Sequence, residues 1–424
     1  MSLLGTGRTP QAGTSAEAEA LIAEARARAR RRRRRIAVVV GCAVALAAGG
    51  LAAARLPGSG SSATGTAGKA AANAAVNPPG PPAYFVDAAT LGGAYFSPEV
   101  RASATGKVVA PLPLGRQFDD DDPPYGLAAA GPDSFVLGLM ISNDCSTQFY
   151  RFTLNGRGRP GPLTRVGPAL PGDLREIAVS AGGGRIGYAI ESACANSRAL
   201  GNYLGVLDTR TGRTRRWTDA PKSMGTLSMS ANGRLLGYSV QTGTPAPDGG
   251  TFLTGAKVET LATNAPPGTV AARSRVVARL SLETAGLSAP TVLLSPTGAS
   301  LYLCSQPWPP FSRHPPKRIT DTAQIIAYRT ATGKKTGVVA SFAASYAPTK
   351  SGYVPISLGC SSMALDPSGR FLLVPYLTTL RNPADEYSAG SVTAARIKIG
   401  TGATSDWTLR FGEKQNPGTM SIAW

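Results

Sequence analysis

The chain has 424 residues, 44 Lys and Arg against 25 Asp and Glu, a formal net charge of +19 and a single histidine. One histidine excludes His-pair metal sites and leaves any histidine-based triad resting on His314 alone. No G-x-S-x-G elbow and no G-x-x-x-x-G-K-[ST] loop occurs, so neither of these common motifs of acyl transfer and nucleotide binding is present.

Residues 1–35 are expected to form a basic cytoplasmic tail with an amphipathic helix. Thr14 and Glu17 have capping-box spacing, and Glu24 with Arg28 makes an i,i+4 pair. Six consecutive arginines, Arg30, Arg31, Arg32, Arg33, Arg34 and Arg35, then run into an uncharged stretch, Ile36–Ala54. As a helix that stretch is about 28 Å long, enough to cross a bilayer core. The positive-inside rule orients it with the tail in the cytoplasm and the rest of the chain outside. The expectation is a retained signal-anchor helix over 36–55, giving a single-pass protein of the cell membrane with an extracellular C-terminal domain. Cleavage after Ala52-Ala53-Ala54 and lipidation at Cys42 are the alternatives. Residues 56–83 are a linker, first rich in Gly, Ser and Ala, then stiffened by Asn77-Pro78-Pro79-Gly80-Pro81-Pro82.

Residues 84–424 alternate apolar and polar positions, as strands do. One phrase recurs: a strand, a Ser or Asp, two small residues, a Gly and a second strand. It occurs at Ile177–Tyr188, Leu227–Tyr238, Val292–Tyr302 and Met363–Val374, with the turn glycine expected at Gly184, Gly233, Gly298 and Gly369. A second phrase follows, a strand, Thr-Gly and a strand, at Thr105-Gly106, Thr211-Gly212, Thr332-Gly333 and Thr401-Gly402, with Asn155-Gly156 standing in once. Two hairpins per period make four-stranded units, the pattern of propeller blades. Sets are expected near 125–167, 174–218, 224–283, 290–341 and 361–411. Three strands near 84–88, 98–104 and 107–111 are left over at the start, and one, Thr419–Trp424, at the end. The last strand completing the first sheet closes an all-β ring of six blades, which hides edge strands from other chains. Seven blades is the alternative.

Ser295-Pro296-Thr297-Gly298 and Asp366-Pro367-Ser368-Gly369 resemble the turns of TolB-type, WD40-like propeller repeats. The Arg-rich juxtamembrane helix, Tyr84-Phe85-Val86, Ala104-Thr105-Gly106-Lys107 and the Ala423-Trp424 ending are similar to membrane-anchored propellers of high-GC Gram-positive bacteria. The resemblance implies a fold and an anchored location, and no activity. The Trp-Asp dipeptide of true WD40 repeats is absent, and most copies lack the turn acid.

Because strands alternate direction within a blade, the loop after the second strand and the loop entering the next blade share one face. Cys145, Cys194, Cys304 and Cys360 all fall there, and the blade pattern pairs Cys145 with Cys194 and Cys304 with Cys360 in an oxidising compartment. The long insertions fall on the same face. They are Gln241–Thr251, Ser305–Thr322 with Trp308, Phe311, Arg313, His314 and Lys317, Ala343–Gly359 with Tyr346 and Tyr353, and Leu377–Gly390 with Arg381 and Tyr387. Trp308, Phe311, Arg313, His314, Tyr346, Tyr353, Arg381 and Tyr387 are therefore the candidate binding residues.

Asp119–Asp122, the one acidic cluster, lacks the spaced ligands of a calcium loop and is expected to be a solvated connector. No catalytic residue, metal site or cofactor is assigned. After the +7 of residues 1–55, the rest of the chain carries a diffuse +12 with no compact basic run. That suits an anionic envelope polymer better than nucleic acid, which is not an expected partner. The expected function is an extracytoplasmic binding or scaffolding propeller, monomeric, for an envelope polymer, peptide or protein. The alternatives are an envelope hydrolase or lyase using channel carboxylates, and a sensor signalling through the basic tail.

Overall fold

The computed structural model describes residues 82–87, 90–91, 94–95, 98–105, 107–114, 124–141, 145–191, 201–245, 251–281, 290–306, 319–346, 363–365, 369–377, 392–402, 404–409 and 422–423. The arginine block and Ile36–Ala54 lie outside them. Among the described residues no helix is long and apolar enough to cross a membrane.

The chain enters through β1 (Tyr84–Asp87), a two-residue ribbon of β2 (Thr90–Leu91) and β3 (Ala94–Tyr95), β4 (Glu99–Ala102) and β5 (Val108–Pro111). A four-stranded sheet follows, β6 (Pro124–Gly131), β7 (Ser134–Ile141), β8 (Ser146–Thr153) and β9 (Thr164–Pro171). The next comprises β10 (Asp173–Val179), β11 (Arg185–Glu191), β12 (Tyr203–Asp208) and β13 (Thr214–Thr218). The fourth uses β14 (Met224–Met229), β15 (Leu235–Pro245), β16 (Thr251–Ala262) and, after a short β17 (Gly268–Thr269), β18 (Arg275–Ser281). Then come β19 (Thr291–Leu294), β20 (Ser300–Ser305), β21 (Ile319–Arg329) and β22 (Lys335–Tyr346). The last full set is β23 (Ala364–Leu365), β24 (Phe371–Leu377), β25 (Val392–Lys398) and β26 (Thr404–Leu409). The closing strand is β27 (Ile422–Ala423).

β27 does not form a seventh unit. It joins the first sheet in the order β27-β1-β4-β5, with Val86 opposite Ala423 and Asp87 opposite Ile422. The last strand thus supplies the innermost position of the blade whose other three strands come from the start of the domain. The fold is an all-β, six-bladed propeller, and the seven-bladed alternative is set aside.

Blade composition follows burial. The second strand of the third blade, Arg-Ile-Gly-Tyr-Ala-Ile-Glu, is buried at its five central positions because sheets cover both of its faces. The outermost strand, Thr-Arg-Arg-Trp-Thr, buries only Trp217 fully. Among the described residues five apolar clusters each straddle one seam between neighbouring blades. At the seam of the second and third blades Phe149 packs on Tyr188 with ring centroids 5.8 Å apart. A fully buried side chain of this size contributes about 1.5–3 kcal/mol relative to exposure, so the seams carry most of the ring's apolar stabilisation.

The face opposite the long connectors is closed by short turns that bond from blade to blade. The Ala181 N–H donates to the Ala231 carbonyl at 3.0 Å, and the Ala231 N–H donates to the Pro296 carbonyl at 2.9 Å. Within blades, the Thr209, Thr263 and Thr330 hydroxyls donate to the carbonyls of Gly183, Gly233 and Gly298 at 2.8, 2.8 and 2.6 Å. Gly233, Gly298 and Gly369 take the expected positive φ, at 67, 76 and 67°. Gly184 does not. Its φ is −69°, and Gly182 and Gly183 carry the left-handed turn instead, because a run of three glycines lets the reversal move upstream. Likewise the positive φ of the second-blade turn falls on Gly158 and not on Gly156, since Asn155 Oδ1 accepts the Arg157 and Arg159 N–H groups and sets a longer turn.

One connector on this side is long. After β16 it runs back along the third blade, where β17 pairs in parallel with β13 and Pro266 accepts the Trp217 indole N–H at 3.1 Å. It covers an edge that would otherwise be open.

Candidate functional site

Antiparallel pairing within each sheet puts the end of every second strand and the start of the next blade's inner strand on one face. The connectors carrying Trp308, Phe311, Arg313 and His314 (between β20 and β21), Tyr353 (between β22 and β23), and Arg381 and Tyr387 (between β24 and β25) all join strand ends on that face. These seven residues lie outside the described residues, as do Asp119–Asp122. Tyr346 is the last residue of β22 and stands opposite Ile319.

Two of the expected insertions are partly strand. β15 and β16 continue pairing out to Pro245 opposite Thr251, and β21 and β22 extend to Ile319 opposite Tyr346. Gln241–Pro245 and Thr251 are therefore strand, part of a two-stranded arm.

Cys145 and Cys304 are both buried, 7% and 2% exposed, at the connector-bearing ends of the second and fifth blades. Their expected partners, Cys194 and Cys360, lie outside the described residues.

The same face holds a cavity of about 440 Å³ at the seam of the third and fourth blades, a size suited to a small ligand. Arg175, Glu176, Glu191, Asn202, Lys222 and Met224 are among its lining residues. Two irregular inner strands border it. β10 carries a bulge between Leu174 and Glu176, and β14 one between Met224 and Leu227. Bulges re-aim side chains, and here they fall at the same end of adjacent inner strands.

Arg175 forms an ion pair with Glu191. Glu176 retains some surface as a residue, while its carboxyl group is enclosed by protein. Burial pushes that carboxyl up to about 8, partly opposed by a hydrogen bond that it accepts from the Leu227 backbone N–H of the next blade. Asp173, one bulge away on β10, is also raised, first by burial; Arg175 opposes this and Glu191 adds to it.

A second polar cluster lies deeper, at the second–third blade seam. The Tyr203 hydroxyl donates to the Pro171 carbonyl at 2.7 Å, and the Arg216 guanidinium stands 4.9 Å from the Tyr203 ring centroid. Burial raises Tyr203 to about 12. The aromatic packing and cation–π contact give this cluster a structural role.

Sequence reasoning did not single out Glu176. Its only signal was an acid at the position of the recurring phrase where the next two copies carry Thr226 and Thr291. Among the described residues no group of three or more His, Cys, Asp or Glu is arranged to hold a metal ion.

No family model and no curated protein sequence matches the chain. Among solved structures it is similar to TolB from Acinetobacter baumannii, at 12% identity over 80% of this chain and 65% of that one, with a TM-score of 0.43. It is also similar to the tricorn protease, at 11% identity over 78% and 35% with a TM-score of 0.36, and to an apocarotenoid oxygenase variant from Synechocystis, at 13% identity over 80% and 72% with a TM-score of 0.41. The chain thus spans less than two thirds of the length of the first two. The propeller assignment stands on the strand pairings themselves.

Proposed function

We propose that this chain is a membrane-anchored binding or scaffolding propeller that presents its connector-bearing face to an envelope protein, peptide or anionic polymer. The observation that carries the reading is the asymmetry of the ring. Strand alternation gathers the long connectors on one face, and the opposite face, apart from the connector between β16 and β18, is made of short turns, bonded blade to blade from the third to the fifth blade. Long segments on a rigid scaffold are where recognition concentrates. Trp308, Phe311, Arg313, His314, Tyr346, Tyr353, Arg381 and Tyr387 supply aromatic anchors and cations, the residue types that dominate binding energy at interfaces. The Arg30–Arg35 block beside Ile36–Ala54 supports the anchor and its orientation. The placement of Cys145 and Cys304 on the same face supports two disulfides, Cys145–Cys194 and Cys304–Cys360, each stapling adjacent blades, and non-reducing peptide mapping checks them.

Site-specific photo-crosslinking in cells tests the reading. Probes at positions 308, 346 and 387 are expected to capture one common partner, lost in a Trp308→Ala/Arg313→Ala double variant. Probes at positions 210 and 332, on the turn face, are expected to capture none of it. Equal capture from both faces, or capture from the turn face alone, overturns the proposal.

A further inference from the structure

Glu176 has a structural counterpart that isolates what is unusual about it. Counting back four residues from the turn serines Ser180 and Ser230 gives Glu176 on β10 and Thr226 on β14. Each accepts a hydrogen bond from the backbone of the next inner strand. Thr226 Oγ1 receives the Val292 N–H at 2.9 Å, and Glu176 receives the Leu227 N–H. Ser228 extends the same zipper by accepting the Leu294 N–H at 2.9 Å. A neutral hydroxyl is enough for this role in the fourth blade. In the third blade the position holds a carboxyl group that is longer and ionisable, and it borders a cavity of about 440 Å³.

The rest of the lining is chemically sorted. Arg175 and Glu191 satisfy each other. Among the described lining residues this leaves Glu176 and the exposed Lys222 as the charges of opposite sign offered to an occupant. Ala189, Ile190, Ala220, Pro221 and Met224 add apolar surface to the lining. A desolvated carboxyl group without a cation holds its proton, and an entering ammonium restores the charged form.

We propose that this cavity binds a small zwitterion of the amino-acid class, its ammonium at Glu176, its carboxylate at Lys222 and its side chain against the apolar wall. The inference is independent of the partner proposed for the connector-bearing face. The raised Glu176 carboxyl agrees with a site that is uncharged when empty and becomes an anion when the ammonium arrives. A buried charge-assisted hydrogen bond of this kind discriminates strongly between a charged and an uncharged partner.

Calorimetric titration of the purified full chain in detergent tests it with three probes: L-leucine, 3-methylbutylamine, which lacks the carboxylate, and 4-methylpentanoate, which lacks the ammonium. L-leucine is expected to bind most tightly. Glu176→Thr, which restores the acceptor that the fourth blade uses, and Glu176→Gln, which keeps the side-chain length, are both expected to weaken L-leucine and the amine roughly 10–100-fold while leaving the acid unchanged. Lys222→Met is expected to weaken L-leucine and the acid while leaving the amine unchanged. Thermal melts confirm that each variant is folded. Absence of binding of all three probes at about 10 mM, a threshold weaker than about −3 kcal/mol, overturns the proposal. So does an amine affinity that survives both Glu176 variants, and an L-leucine affinity unchanged by Lys222→Met overturns the zwitterion assignment.

Discussion

Glu176 in the third blade stands where Thr226 stands in the fourth, and each accepts a backbone N–H from the inner strand of the following blade, Leu227 for the one and Val292 for the other. The inner strands are therefore joined across their seams by side-chain acceptors as well as by packing. One of those acceptors is a carboxyl group whose burial holds it near 8. A seam bond and an ionisable group coincide there.

Glu176→Leu removes the acceptor and leaves the Leu227 N–H buried, at a cost of about 1–3 kcal/mol, whereas Glu176→Thr keeps it. The wild type and Glu176→Thr also separate by pH. Above the ordinary value of 4.5 the unfolded chain ionises at this residue while the folded chain stays protonated up to about 8. Folding stability from this group is therefore full below about pH 4.5, falls as pH rises towards 8 and is level beyond that. Asp173, raised in the same sense, adds to the fall. Urea midpoints of the wild type at pH 5, 6.5 and 8 are expected to decline more steeply than those of Glu176→Thr. Parallel declines in the two proteins refute the assignment.

Deleting Thr419–Trp424 strips β27 from β1 and exposes the Val86–Asp87 edge. An open inner edge templates pairing with another chain. Light scattering on the truncated chain is expected to show oligomers, and its melting temperature is expected to fall. A truncated chain that stays monomeric and keeps its melting temperature contradicts ring closure through this strand.

Thr330 donates to the Gly298 and Ala299 carbonyls at 2.6 and 3.1 Å and is 7% exposed. Thr330→Val leaves the Gly298 carbonyl without this donor and is expected to cost about 1–3 kcal/mol, with Thr330→Ser recovering most of it. The sixth blade keeps the backbone bond, Ile399 N–H to the Arg370 carbonyl at 2.8 Å, with an apolar side chain in that place. The hydroxyl is thus an addition to the turn and not a requirement of the fold. Chemical denaturation of the three proteins measures it.

A Cβ at Gly205 would stand 2.4 Å from the Tyr188 ring, which is itself clamped between Phe149 and Tyr203. Gly205→Ala is expected to destabilise by about 1–3 kcal/mol through overpacking. Combining it with Tyr188→Leu is expected to cost less than the sum of the two single changes, because the smaller side chain vacates the contact. A double-mutant cycle that comes out additive rules the contact out as the cause.

Strand order, blade number and the closing strand were legible along the chain. Each hairpin announces itself by a turn residue flanked by alternation, and a count of three strands at the start and one at the end permits a six-bladed ring. The faces were legible for the same reason, since strand alternation alone fixes which connectors emerge together, Cys145 with Cys304 and Tyr346 among them. Only the tertiary structure decided the rest. It moved the left-handed turn from Gly184 to Gly182 and Gly183, extended β15 and β16 into an arm, and gave Glu176 its meaning. A period-two pattern says which way a side chain points from its own strand, but not what the neighbouring blade brings to meet it. Paired bulges, a backbone N–H from the next strand and a cavity at a seam arise between units some fifty residues apart, where no local spacing records them.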